Sequence, residues 1–277
     1  MSGFAEELGI ASPVLLAPMA GITDRPFRDL VAGFGAGLVV SEMVASAEIV
    51  TRGAQARARA ELGSGDVAQA VQIAGREARW MAEAARICEG LGARIIDINM
   101  GCPAKRVTGG LSGAALMREP DHALRLIEAV TGAVSVPVTL KMRLGWDADS
   151  LTAPDLARRA EAAGIRMITV HGRTRSQFYK GRADWAAIGA VRRAVRVPVV
   201  ANGDIADLAS AWAARRASGC SAVMVGRAAQ GRPWLLAQIA AGLAGRDRPP
   251  APTGTALADL IAAHYEAMLS FYGLDLG

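Results

Sequence analysis

Eight short apolar or β-branched runs, each followed by a Gly- or Pro-bearing loop and then a longer segment of helical period, constrain this chain most. The runs are VLLAPM (14–19), LVVSEM (38–43), AQAVQI (68–73), IIDIN (95–99), VTLKM (138–142), MITVH (167–171), VVAN (199–202) and AVMVG (222–226). Strands joined through a helix pair in parallel, and eight such units close into a (β/α)8 TIM barrel. A doubly wound sheet is the rival, but no GxGxxG follows the first run, whose exit reads PMAGITDRP. The 277 residues suit one barrel of about 250 residues and a tail. Residues 1–244 are read as the barrel and 245–277 as a linker and the start of a helical segment that looks truncated. AGLAGRDRPPAPTGT (241–255) is the linker, and Leu257, Leu260, Ile261, His264, Tyr265, Met268 and Tyr272 form one apolar stripe on the helix after it.

A closed barrel predicts where chemistry collects. Pro18, Glu42, Gln72, Asn99, Lys141, His171, Asn202 and Gly226 all fall at the C-terminal ends of predicted strands, the rim that carries catalytic groups in such barrels. Cys102, in NMGCPAKR, lies between a glycine and a proline just past the fourth run, which places its thiol on a loop rather than in packing. Gly109, Gly110 and Gly113 behind it predict a mobile loop able to close over a substrate. The turns NGD (202–204) and GR (226–227), after the last two strands, occupy the usual phosphate position of such barrels. Gly203 and Gly226 allow close backbone approach, Arg227 supplies charge, and Asp204 is assigned a backbone or capping contact because a carboxylate repels phosphate. Lys141 sits mid-mouth, where an amine can neutralise charge on a reduced cofactor ring.

Three cysteines without a CxxC pair fit a reducing compartment, and three scattered histidines give no metal pattern. No apolar run reaches the roughly 18 residues of a membrane helix, and the acidic start is no signal peptide, so a cytoplasmic protein is expected. The charge balance, 31 basic against 26 acidic residues, allows an acidic partner without demanding one.

LLAPMAGITDRPFR, VQIAG, DINMGCPAKRV, LKMRLGWD, TVHGRTRSQFYKGRADW, VANGDI and MVGRAAQGRPWL together resemble the tRNA-dihydrouridine synthases, in particular the bacterial B-type, nitrogen-regulation-protein-like branch. The match runs in register from Leu15 to Leu235. It implies an FMN-binding barrel with a C-terminal helical tRNA-binding domain, incomplete here, that reduces the 5,6 double bond of particular uridines in tRNA with NADPH. By motif, Pro18, Met19, Ala20, Gln72, Lys141, His171, Asn202, Gly203, Asp204, Gly226 and Arg227 would hold FMN. Cys102 would be the catalytic acid, and Asn99 and Arg143 would touch the uracil. The chemistry agrees: hydride delivered to uracil C6 leaves C5 in need of a proton, and a thiol of ordinary pKa, about 8.5, keeps one near neutrality. Between His171 and Val200 lie seven Arg or Lys against one acid, of which Arg173, Arg175, Lys180 and Arg182 suit tRNA phosphates. A monomer is expected. Two other readings stay open: a reductase of a small molecule on the same barrel, and a non-catalytic RNA-binding regulator.

Overall fold

The computed structural model describes residues 8–51, 59–63, 65 and 67–274. Nine parallel strands make one sheet: β1 Val14–Leu16, β2 Leu38–Val40, β3 Val44–Ala45, β4 Ala68–Ala74, β5 Ile95–Met100, β6 Val138–Arg143, β7 Met167–His171, β8 Val199–Asn202 and β9 Ala222–Val225. Its order runs from β2 through β1 and β9 down to β3, and β2 also pairs with β4, so the sheet closes. The two-residue β3 prolongs the second position of an eight-membered ring, since β2 and β3 both pair with β4. All eight expected strands are present, and the barrel is the fold.

Helices alternate with the strands: α1 Arg25–Gly33, α2 Ser46–Thr51, α3 Ala78–Gly90, α4 Lys105–Thr108, α5 Pro120–Thr131, α6 Ala153–Ala162, α7 Trp185–Ala194, α8 Leu208–Ser218, α9 Leu235–Leu243 and α10 Gly254–Tyr272. Their starts are encoded locally. Asp24 caps α1 through Phe27 N–H at 2.9 Å, and Asp207 forms a capping box with Ser210 at the start of α8.

Alternation along each strand builds two cores. Ile96, Ile98, Leu140, Met142, Ile168 and Val170 face outward beneath the helices. Leu15, Leu38, Ile95, Met167, Val200 and Ala222 face inward and fill the lower barrel, with Leu8 and Ile10 beside them. Higher up the same inward rows turn polar. Gln72, Asp97 and Thr139 lie side by side in register across β4, β5 and β6, and Asn99 pairs with Lys141 one row above. The apolar layers exclude water from below, leaving the polar rows open only at the C-terminal mouth.

The helix expected after the linker is α10. It packs against α1, with His264 edge-on to Phe27 at 6.3 Å and the Tyr272 hydroxyl donating to Asp24 Oδ2 at 3.0 Å. Ile261 and Tyr265 of the predicted stripe stay exposed.

Candidate active site

A cavity of about 880 Å³ opens at the C-terminal mouth, within the range of small-molecule sites. The first loop, Pro18–Thr23, forms one wall. Its shape is set by Thr23, whose hydroxyl accepts from Met19 N–H at 2.8 Å while Met19 C=O accepts from Ile22 and Thr23. Pro18, Met19 and Ala20 all border the cavity.

On the β5 side, Cys102 lies half-buried on a turn that begins as the strand ends. Asn99 Oδ1 accepts from the N–H groups of Gly101 and Cys102, at 3.1 and 2.9 Å. Asn99 Nδ2 donates to Gln72 Oε1 at 2.7 Å, and Gln72 Nε2 donates to Asp97 Oδ2 at 2.6 Å. Each amide keeps one N–H proton beyond this chain.

Lys141 stands across the floor. Its Nζ donates to Asn202 Oδ1 at 3.3 Å, and Asn202 is held in turn by donating from Nδ2 to Met224 C=O. Burial, with Arg143 nearby, lowers the Lys141 pKa to about 8. Asp97 opposes that shift from a distance, and among the described residues no carboxylate pairs with the amine. His171, also buried and facing Lys141, Arg143, Arg173 and Arg227, is pushed down to about 2 and is therefore a neutral imidazole; its Nδ1 has no hydrogen-bond partner. A buried cation on a neutral neighbour, beside an imidazole with an orphaned nitrogen, suits a polar ligand that carries negative charge.

The Lys141 shift has a measurable sign. Between pH about 8 and 10.5 the unfolded chain holds a proton that the folded chain has released, so stability rises with pH across that window. Lys141→Met is therefore expected to be more stable than the parent by about 2–3 kcal/mol at pH 7, an advantage that disappears by pH 10.5. Urea unfolding of both proteins without ligand checks it, and an advantage constant with pH would contradict it.

The other end of the cavity is basic. Gly203 adopts φ +113°, and a Cβ there would lie 2.7 Å from the Ala183 Cβ. A Cβ at Gly226 would meet nothing nearer than 3.7 Å, so that side is open. Asp204, at a left-handed φ of 54°, lines the cavity with its carboxylate already engaged: Oδ2 accepts from Arg173 Nη2 at 2.6 Å and Ala183 N–H at 2.8 Å. Arg227 lies 3.8 Å from the other carboxylate oxygen and Arg232 also lines the cavity, so positive charge is in excess.

Several of the expected substrate-side residues are engaged with the protein itself. Arg173 is 2% exposed, and its guanidinium binds Asp204 and the carbonyls of Lys180 and Gly181. These contacts tie the β7 loop to Asp204. Arg175 is half-buried against Trp146 and Phe178, whose ring centroids lie 4.6 and 5.0 Å from its guanidinium carbon, and it donates to Thr108 Oγ1. Arg143 borders the cavity, yet its Nε and Nη1 donate to the carbonyls of Gly101, Thr174 and Phe178 at 2.8–2.9 Å. In the expected closing loop, residues 109–113, Leu111 is exposed; the 3-10 turn Gly113–Arg118 has its Gly113–Met117 stretch buried, and Ala114 N–H bonds Cys102 C=O.

Two further groups belong to the site. Asp97 interrupts an apolar strand, and a carboxylate in such a run is a signal in itself, because a buried acid requires partners. Tyr179, inside the basic stretch QFYKGR, stands at the mouth edge-on to His171 at 6.4 Å, with the Arg143 and Arg227 guanidiniums 5.6 and 5.2 Å from its ring centroid.

Comparison with known proteins identifies the family. The family model described as dihydrouridine synthase (Dus) matches residues 15–277. A probable tRNA-dihydrouridine synthase of Rhodobacter capsulatus is 67% identical over 274 residues, covering 98% of this chain and 84% of that protein. One from Rhizobium leguminosarum bv. phaseoli is 57% identical over 266 residues, covering 96% and 81%. The tRNA-dihydrouridine synthase B of Xanthomonas axonopodis pv. citri is 47% identical over 268 residues, covering 97% and 81%. Among solved structures, a FabK mutant from Thermotoga maritima aligns over 81% of this chain and 63% of its own with a TM-score of 0.50 and 20% identity, a likeness of fold alone. With a family match that spans every strand of the barrel and relatives this similar along almost the whole length, the chain belongs to the dihydrouridine synthase family.

Proposed function

We propose that this chain reduces the 5,6 double bond of uridines in tRNA, with FMN in the barrel mouth and NADPH as the source of electrons. The observation that carries this reading is the Cys102 thiol lining the same cavity as the buried Lys141 amine and neutral His171, a set that a non-catalytic RNA-binding module does not need. The names of the relatives support the substrate class.

FMN held here would supply the hydride that uracil C6 receives. Cys102 then gives its Sγ proton to C5, and the resulting thiolate is reprotonated from solvent. Lys141 balances negative charge on the ring, with Asn202 holding the amine in place. Pro18, Met19 and Ala20 flank the ring, Gln72 offers its second Nε2 proton, and His171 contributes as a neutral partner. Gly203, Gly226 and Arg227 cradle the phosphate, and Asp204 does so indirectly, by fixing the β7 loop through Arg173. The second Nδ2 proton of Asn99 and the remaining Nη2 of Arg143 are positioned for the uracil carbonyls. Exposed Lys180 and Arg182 face tRNA phosphates, and α10 begins the domain that docks the tRNA. The target base leaves its stack to enter the cavity. Among the described residues no helix is long and apolar enough to cross a membrane.

The purified chain is expected to be yellow, or to take up FMN, and after anaerobic reduction with NADPH to reoxidise faster when unmodified tRNA is added. A chain that binds no flavin overturns the proposal, and a flavoprotein indifferent to tRNA favours a small-molecule reductase. Gly203→Ala tests the phosphate cradle: the strained φ and the close Ala183 contact should lower stability by about 1–3 kcal/mol. Flavin fluorescence titration should show FMN binding weakened about tenfold or more, as one lost charge-assisted contact implies.

A further inference from the structure

We infer that Asp97 is a positioning residue for Cys102, acting through a one-way chain of side-chain amides: it fixes which end of Gln72 faces Asn99, and thereby which end of Asn99 holds the Cys102 turn. This deepens the reading above by adding a residue to which neither the motifs nor the relatives assign a role.

The direction of the chain is set from both ends. At the Cys102 end the groups facing Asn99 are the N–H groups of Gly101 and Cys102, both donors, so Asn99 must present Oδ1. Nδ2 then faces Gln72, which must present Oε1, and Nε2 faces Asp97, which must accept. At the far end Asp97 Oδ1 accepts from Thr139 Oγ1 at 2.5 Å while Oδ2 accepts from Gln72. Two accepting oxygens are the pattern of an ionised carboxylate, which has no donor to offer. Burial pushes the Asp97 carboxyl up, and the two hydrogen bonds and the Lys141 charge oppose that. Asparagine and glutamine side chains are otherwise free to turn end for end, and an amide presenting Nδ2 to the Cys102 N–H would leave two donors facing each other. Asp97, Gln72 and Thr139 are all buried. Their places in adjacent registers of three strands make the chain part of the barrel wall rather than of a loop. A proton donor must stay within reach of one carbon atom, and an anchor in the barrel wall provides that constancy.

The test compares wild type, Asp97→Leu and Asp97→Asn in the ligand-free protein, measuring iodoacetamide alkylation of Cys102 by peptide mass spectrometry well below the unfolding temperature. Cys88 and Cys220 are buried and serve as internal controls for global opening. Leucine fills similar space but accepts nothing, so Cys102 should alkylate about tenfold faster while the controls stay slow, the size expected when one or two hydrogen bonds of a turn are weakened. Asparagine can still present Oδ1 to Gln72 and an N–H to Thr139, so it should stay within about twofold of wild type. If Asp97→Leu does not fold, Gln72→Met breaks the middle link and should raise the Cys102 rate alike. Wild-type rates in a folded Asp97→Leu or Gln72→Met protein overturn the proposal, as does an Asp97→Asn protein as fast as Asp97→Leu. Because alkylation needs neither FMN nor tRNA, failure here is distinct from failure of the proposed activity.

Discussion

Cys102→Ala is expected to retain FMN and NADPH oxidation and to reduce tRNA uridine about 10²–10⁴-fold more slowly, the range associated with loss of a positioned general acid. The thiol lines the cavity from a turn held by Asn99 Oδ1 and by Ala114 N–H on Cys102 C=O, so removing one sulfur leaves the turn and the cofactor contacts in place. Cys102→Ser should be similarly slow, because a hydroxyl is a far weaker acid than a thiol and gives up its proton reluctantly in the same geometry. Anaerobic single-turnover measurement of the reduced enzyme with excess tRNA isolates the step from NADPH chemistry and from tRNA release. Near-wild-type turnover by Cys102→Ala would remove Cys102 from the mechanism and return the proton to a solvent molecule.

Arg143→Met is expected to affect stability and turnover together. Its guanidinium bridges the Cys102 turn, through Gly101 C=O, to the β7 loop, through the carbonyls of Thr174 and Phe178. Burial lowers its pKa to about 10, which still leaves it charged at neutral pH. Removing it leaves three carbonyls short of a charged donor, for a loss of about 3–5 kcal/mol. That corresponds to a melting temperature lower by roughly 10 °C for a chain of this size. The β7 loop carries Tyr179 over the mouth, so displacement by about 1 Å should also slow uridine reduction about 10²-fold. Arg143→Lys should not rescue it, because a point charge cannot serve two segments at once. A variant with unchanged melting temperature and lost turnover would instead assign Arg143 to the uracil alone.

These two residues differ in how far the sequence exposes them. Cys102 was legible because its neighbours act locally: an apolar run ends, glycine and proline turn the chain, and the thiol has nowhere to go but the mouth. Arg143 falls in the site on motif, yet a sequence carries no direction for a seven-atom side chain. The acceptors that claim Arg143 lie 31 to 42 positions away. Arg173 shows the same difference more sharply. Its charge and its loop suggest a surface contact, whereas the fold buries it against Asp204, 31 positions on. The glycines at 109–113 suggest freedom of motion, and the structure adds a second reason for one of them, close approach: a Cβ at Gly113 would meet Cys102 C=O at 2.8 Å.

By itself the sequence determined the parallel barrel, the end at which its chemistry collects and the residue types gathered there, because strand alternation, helix caps and Gly/Pro turns act over a few residues. Tertiary structure alone decided which of those groups are committed to one another. Parallel pairing sets Gln72 beside Asp97 and Asp97 beside Thr139, across gaps of 25 and 42 residues, and only then do amide direction, charge burial and the aim of each donor have values. Hydrogen bonds depend on angle and distance between groups that the chain keeps far apart, and register is what brings them together.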